Sequence, residues 1–448
     1  MEPSHNNKYI KNFIGAGLVF LFSALLFGLA GALEYIIPGF WRDFFSFEKI
    51  RPLHVSSAVF WILITAIGCV LYFLKEHNNQ NLKQQKLIRW AFYIFVLSFV
   101  GILISYSFGI FGGREYWEFN PVFSIPITVG WILFIVVFMS NFKTLKQQPV
   151  YLWMWFTGVL FFLFTYLESN LWLIPEIRNH LVKDMTIQWK SYGSMVGSWN
   201  MLIYGSSIYL MDKIAGNKTY SFSNIAFWLY FLGLFNLMFN WGHHIYTLPT
   251  QPYVKHIAYV VSMTELFIFG RIIYFWKSSV SDAKKHFHIG SYRFLIAADV
   301  WVFLTLGLAI LMSIPALNIY MHGTHVIVAH TMGATIGINT MLLLAFTYDI
   351  FGNQTTRLKT EKFGFWLING SLLVFWISLT MAGFAKSYEQ FNNPEVAYGE
   401  IIRQLRPWFY VFFVSGCGLV VGFFMVVFPL MRRWLNGLKT LEKSSNSE

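Results

Sequence analysis

The chain predicts an all-α polytopic membrane protein, a bundle of twelve transmembrane helices, on three observations. Its mean hydropathy is +0.52. Charged residues make up 12% of its 448 residues and aromatic residues 20%, whereas a soluble domain carries about 25% charge. Its apolar stretches are long enough to cross a hydrocarbon core, which takes about 20 helical residues per crossing.

The stretches fall near residues 13–34, 53–74, 90–111, 121–141, 150–174, 189–211, 224–246, 256–276, 294–314, 324–348, 363–385 and 407–431. One bundle makes the whole chain, 1–448, a single membrane domain, with residues 1–12 as a cytoplasmic N-terminus and 441–448 as a disordered cytoplasmic tail. Alternate loops carry most of the Lys and Arg, and the even number of crossings then puts both termini on the inner side. The outer loops hold Pro, Trp, Tyr and acids instead. The net charge of +12 is scattered in short groups between apolar runs, a pattern of membrane topology rather than a nucleic-acid patch. No small-residue cleavage site follows the first apolar run, so residues 13–33 read as a retained helix and not a signal peptide. Cys69 and Cys417 both lie inside apolar runs and no Cys-x-x-Cys-His occurs, which excludes a disulfide framework and covalently attached heme.

The densest chemistry lies in Asn318 to Gly337, NIYMHGTHVIVAHTMGATIG, where His322, His325, His330 and Met332 run from a polar loop into an apolar helix. Ionisable groups inside a membrane are costly unless something binds them. Counted inward from the outer ends of their helices, His54, His243, His244, His330 and Met332 share one depth. A metal or heme explains that common level better than unrelated core histidines. Residues two apart on a helix point about 200° apart, so His330 and Met332 face opposite sides and can serve two different hemes. Adjacent His243 and His244 reach one small metal only if the helix end is distorted there, which Gly242 makes easier. Imidazole pairs of this kind suit iron or copper. Glu265 and Asp299 are acids within apolar runs, candidates for proton carriage or for lining a pocket.

These residues sit in motifs that resemble the catalytic subunit of nitric oxide reductase, a member of the heme-copper oxidase superfamily, over nearly the full chain. The motifs are IRPLH ending at His54, GREYWEFNP from Gly113, WGHHIY around His243 and His244, the TEL containing Glu265, and MHGTHVIVAHTMGATIG from Met321. The GREYWEFNP loop marks the reductases rather than the oxygen-reducing members. The resemblance implies a twelve-helix fold of the heme-copper oxidase type with two hemes b. His54 would be an axial ligand of the low-spin heme, and His330 the proximal ligand of the high-spin heme. His243 and His244 would hold a non-heme iron, Glu265 would line the pocket, and His322 would sit near heme propionates. Glu115 and Glu118 would lie near a calcium ion or a proton-uptake site at the outer face.

The chain departs from the family pattern in two places. The second low-spin histidine is replaced by Met332, a thioether that can ligate heme iron and raises its potential relative to two histidines. His325, on the same face but about 10 Å along the axis, is a poorer substitute. The third histidine and the glutamate of the non-heme site are replaced by Tyr192 and Val196, with Asn200 where another glutamate is usual. Tyr192 can bind iron as phenolate, donate a proton and electron, or serve as a pocket wall.

The resulting expectation is a divergent nitric oxide reductase large subunit in a bacterial inner membrane. Its electrons would come from a membrane-anchored cytochrome c subunit, and its protons from the outer side by way of Glu115, Glu118 and Glu265. Two other readings stand beside it: a heme-bearing electron-transfer or sensing subunit that has lost the non-heme metal, and an oxygen-reducing relative using Tyr192 as a redox tyrosine. Polar residues deep in the inner half are few apart from Asp299.

Overall fold

The computed structural model describes residues 8–77, 82–141, 144–267, 270, 290–352 and 359–445. Among them every regular element is helical. The long helices are α1 (Lys8–Glu34), α2 (Phe47–His77), α3 (Leu82–Ser107), α4 (Ser124–Met139), α5 (Val150–Glu168), α6 (Leu181–Ala215), α7 (Asn224–Phe239), α8 (Pro252–Met263), α9 (Gly290–Ser313), α10 (His325–Met332), α11 (Met341–Phe351), α12 (Lys359–Asn392) and α13 (Arg406–Ser445). Ten segments among the described residues are long and apolar enough to cross a membrane, α10 and α11 counting as one with the turn that joins them.

Two of the expected crossings are not among those ten. The stretch 189–211 lies within α6, a continuous helix of 35 residues and so about 52 Å long, whose serines and Asp212 lower its hydropathy. The stretch 256–276 begins in α8, and most of its second half lies outside the described residues.

Contacts divide the chain into two compact units: Met1–Leu18 with Val59–Ile268 and Trp434–Glu448, and Val19–Ala58 with Phe269–Arg433. In the first unit, α5 and α6 pack along their length. The Trp155 indole nitrogen of α5 donates to the Leu202 carbonyl at 3.1 Å and to Ser206 Oγ at 3.2 Å. Ser198 and Ser206 return their hydroxyls to carbonyls one turn back, at 2.8 Å each. Small hydroxyl residues that satisfy themselves let backbones approach closely, as membrane interiors require. Stacked rings fill the rest of this core, Phe60 on Phe99 at 3.8 Å and Trp131 on Phe162 at 3.9 Å.

In the second unit the apolar run after His325 is not one α-helix. It turns π-helical over Gly333–Thr340 before resuming as α11. Thr340 donates to the carbonyl of Thr335, five residues back, at 2.8 Å, the spacing of a π turn. The widened turn lies against α9, where Trp301 occupies the space a Cβ on Gly337 would need, 2.5 Å away. Trp301 is held there by its indole hydrogen bond to Asn369 Oδ1 of α12, 3.1 Å.

In the first turn of α12, Glu361 accepts from Arg433 at 2.5 Å and from the Tyr348 hydroxyl at 3.2 Å. Glu361 is 6% exposed, so removing it strands a mostly buried guanidinium. Glu361→Leu is expected to destabilise the protein by about 3 kcal/mol, read as a lower melting temperature in detergent. Adding Arg433→Met recovers most of that loss, because the paired apolar replacement leaves no charge unpartnered.

Candidate functional site

The candidate ligands fall into two groups, one in each compact unit. In the second unit, His54 sits on α2 with Nδ1 2.8 Å from the backbone carbonyl of Ala24 on α1. A carbonyl only accepts, so Nδ1 carries the proton and Nε2 keeps its lone pair. The ring is packed tightly: a Cβ on Gly28 would meet His54 Cε1 and Nδ1 at 2.8 Å. This is the arrangement that orients a metal-ligating imidazole, with one nitrogen anchored and the other available.

His330 and Met332 lie on α10, both half-buried, immediately before the π turn. His330 Nδ1 is buried and short of a well-formed hydrogen bond, with the Thr305 main chain beside it. An imidazole left in that state is costly in an apolar bundle. With its Nδ1 proton turned to that main chain, His330 would keep the Nε2 lone pair, as His54 does, so both fit ligation of heme iron. Met332, a soft thioether, fits the same chemistry.

His325 belongs to a different environment. Its ring lies 6.0 Å from that of Tyr35 and 5.2 Å from that of Phe409, an aromatic nest, with Nδ1 buried and unpartnered. His322 follows the short helix Pro315–Met321 and donates its N–H to the Asn318 carbonyl at 2.7 Å. Half-buried, it has its imidazole pKa held below the usual range by desolvation.

In the first unit, His243 and His244 stand on a tight 3₁₀ turn, Asn240–Ile245, that ends α7. The distortion expected at Gly242 is therefore present and brings the two rings to 4.2 Å between centroids. The turn and the end of α7 before it are seated on α6 through glycines: Trp241 Cβ of the turn is 2.8 Å from a Cβ built at Gly193, and Leu237 Cγ of α7 is 2.7 Å from one at Gly197. Trp189 of α6 stacks flat on His244, 4.8 Å between centroids and 9° between planes. His243 Nδ1 lies 3.2 Å from both Asn240 Oδ1 and Ser262 Oγ. Asn240 Nδ2 donates to Glu265 Oε1, and Glu265 Oε2 is buried without a partner.

Tyr192 is 1% exposed and its hydroxyl has no hydrogen-bond partner. Its ring meets that of Tyr116 edge-on at 5.4 Å, so the GREYWEFNP loop reaches α6. That loop is folded on itself. Gly112 and Gly113 donate to the Glu118 carbonyl at 3.1 Å each, and Tyr116 adopts a left-handed backbone, φ +66°. Arg114 anchors it, 2.6 Å from Asp184 and 4.8 Å over the Trp172 ring. Glu115 and Glu118 are half-buried there. Among the described residues no group of three or more His, Cys, Asp or Glu converges as a metal site. The two imidazoles, with Asn240, Ser262 and Glu265 behind them, are therefore the donor set that a non-heme metal would find. Neutral imidazoles suit iron or copper but leave coordination positions open.

Trp189, Asn240, Ser262 and the Gly193/Gly197 pair were not among the sequence-predicted residues. A Gly-x-x-x-Gly spacing was readable in SYGSMVGSW, and Asn240 precedes His243 by three residues, but only the 3₁₀ turn makes that spacing a contact. The structure also shows polar groups on the buried side of α6, Ser191, Ser194, Ser198, Ser206 and Asp212. The bundle interior is thus less apolar than its sequence suggests, although the Ser198 and Ser206 hydroxyls are engaged by their own helix.

Residues 8–418 match the family described as Cytochrome C and Quinol oxidase polypeptide I. The chain is 22% identical to a nitric oxide reductase subunit of Stutzerimonas stutzeri, covering 94% of each chain. It is 21% identical to the cbb3-type cytochrome c oxidase subunit CcoN1 of the same organism, covering 90% of this chain and 89% of that one. To cytochrome c oxidase subunit 1 of Rhodobacter capsulatus it is again 21% identical, over 96% of this chain and 86% of the relative. A heme-copper terminal oxidase solved as a dimer by cryo-electron microscopy superposes with a TM-score of 0.71 at 16% identity, covering 95% of this chain and 84% of that one.

The seating on α6 of the helix that leads into the histidine turn gives a direct check. Gly197→Leu is expected to cost about 1–3 kcal/mol through overpacking, lowering the melting temperature in detergent. Gly370→Ala, where a Cβ meets nothing within 4 Å, is expected to be neutral or stabilising by up to about 1 kcal/mol.

Proposed function

The chain belongs to the cytochrome c and quinol oxidase polypeptide I family of membrane oxidoreductases, and on that premise we propose that it is a divergent nitric oxide reductase large subunit of a bacterial inner membrane, with both termini cytoplasmic. Bound heme iron and a non-heme metal would supply the chemistry: two NO, two electrons and two protons give N2O and water. The observation that carries the reading is the GREYWEFNP loop, the mark of the reductases, packed through Tyr116 against Tyr192 on α6. The likeness to the Stutzerimonas stutzeri nitric oxide reductase chain along 94% of each sequence supports it.

In this reading His54 and Met332 hold a low-spin heme b. The Ala24 carbonyl fixes the His54 ring and leaves Nε2 as the nitrogen that would bind heme iron. His330 holds the high-spin heme b, and His243 and His244 hold a non-heme iron. His322 orients heme propionates from the loop side. Glu265 carries a proton on Oε2, the oxygen its Asn240 hydrogen bond leaves without a partner. Tyr192 offers its phenol proton from beside the GREYWEFNP loop. Glu115 and Glu118 take up protons at the outer face or share a calcium ion there. The electron donor is a membrane-anchored cytochrome c subunit.

One observation favours a second reading. No third His, Cys, Asp or Glu joins His243 and His244 among the described residues, as suits a heme-bearing electron-transfer subunit without the non-heme metal. Metal counts and turnover on the purified complex separate the two. The reductase predicts two hemes b, non-heme iron in stoichiometric amount, and anaerobic conversion of NO to N2O with a reduced cytochrome donor. Two hemes with no non-heme metal and no NO consumption would overturn it. Oxygen uptake as fast as NO uptake with the same donor would point instead to an oxygen-reducing member.

A further inference from the structure

We propose that Asn240 is a positioning residue that locks His243 as its Nδ1–H tautomer, so that Nε2 is the metal-facing nitrogen, and that ties the same imidazole to Glu265. The proposal rests on the reading of His243 as a metal ligand and adds how that ligand is prepared. In a 3₁₀ turn, residues three apart eclipse one another, and Asn240 and His243 are the first and fourth residues of such a turn. Their side chains are therefore stacked on one edge, with Asn240 Oδ1 3.2 Å from His243 Nδ1. In an α-helical continuation of α7 the same spacing would swing them apart by about 60°.

The hydrogen-bond directions leave one consistent assignment. The Glu265 carboxylate accepts from Asn240 Nδ2, which turns the amide oxygen toward Ser262 and His243. Ser262 Oγ donates to that oxygen at 2.7 Å, so its proton is already directed away from the imidazole. Asn240 Oδ1 and Ser262 Oγ, each 3.2 Å from His243 Nδ1, then present lone pairs to it. A bare Nδ1 would face two lone pairs in a buried site. A protonated Nδ1 is bonded by them, and the ring lone pair then sits on Nε2. Flipping the amide would set its oxygen against the carboxylate, an arrangement disfavoured in a low-dielectric interior. Asn240 thus acts from behind a metal ligand, where such partners set ring orientation and basicity.

The test uses two substitutions in the full membrane complex. Asn240→Leu removes both amide groups, whereas Asn240→Asp keeps an acceptor for His243 and Ser262 and removes the donor to Glu265. Ring ¹⁵N spectra of histidine-labelled, metal-depleted membranes read the tautomer, with His243 assigned by its loss in His243→Gln. Titration with ferrous iron reads the metal affinity. The expected result is a single Nδ1–H tautomer in the parent and in Asn240→Asp, a mixture of tautomers in Asn240→Leu, and iron affinity about 10- to 100-fold weaker in Asn240→Leu. An unchanged tautomer and unchanged affinity in Asn240→Leu would overturn the role of Asn240. If His243→Gln itself leaves iron binding intact, the reading of His243 as a ligand falls instead. Heme absorbance reports folding in each variant. Should Asn240→Leu fail to take up heme, Asn240→Ala replaces it, with the same mixture of tautomers expected and a single unchanged Nδ1–H tautomer contradicting the proposal.

Discussion

The constraint on which the rest depends is that a buried imidazole in an apolar bundle needs both of its nitrogens provided for. Water is not at hand to do it, and an unmatched nitrogen is costly. His54 meets half of this requirement with a backbone carbonyl, and His243 does so with an amide and a hydroxyl. In each case the protein settles one nitrogen from its own atoms and leaves the other as a lone pair. That division of labour is what a resident metal or heme exploits.

Supplying those atoms requires departures from regular helix, and both departures occur beside the ligands. The 3₁₀ turn under His243 and His244 tightens the end of α7 until an asparagine three residues back comes into register. The π turn after His330 and Met332 loosens the helix instead and lets Trp301 enter against Gly337. Irregular backbone within a membrane is tolerated only where it is buried in protein or lines a cavity. Away from these turns, the packing of the long crossings relies on glycine, serine and stacked aromatic rings.

Much of this was legible in the sequence, and the limits have physical causes. The apolar runs predict twelve crossings, and ten segments among the described residues have the length and composition to cross a membrane. The candidate ligands stood out as histidines and a methionine set in apolar runs, and Gly242 beside two histidines announced a distorted turn. Asn240, Ser262 and Trp189 were not legible, since an amide, a hydroxyl and an indole in apolar runs look the same whether they face lipid or a ligand. The π turn was hidden for a related reason: Gly, Ala, Thr and Ile over 333–340 carry an acceptable helical pattern, and only packing against α9 widens it. Tyr192 was found by position, yet its contact with Tyr116 depends on a loop folded through a left-handed residue.

The helix that carries His330 and Met332 holds the central claim, that Met332 stands in for a histidine as an axial ligand of the low-spin heme. Absorption and electron paramagnetic resonance spectra of the oxidised protein address it directly. The account predicts that Met332→Leu abolishes the low-spin signature and that Met332→His restores one with the lower potential of paired histidines. A low-spin spectrum left unchanged by Met332→Leu would contradict it.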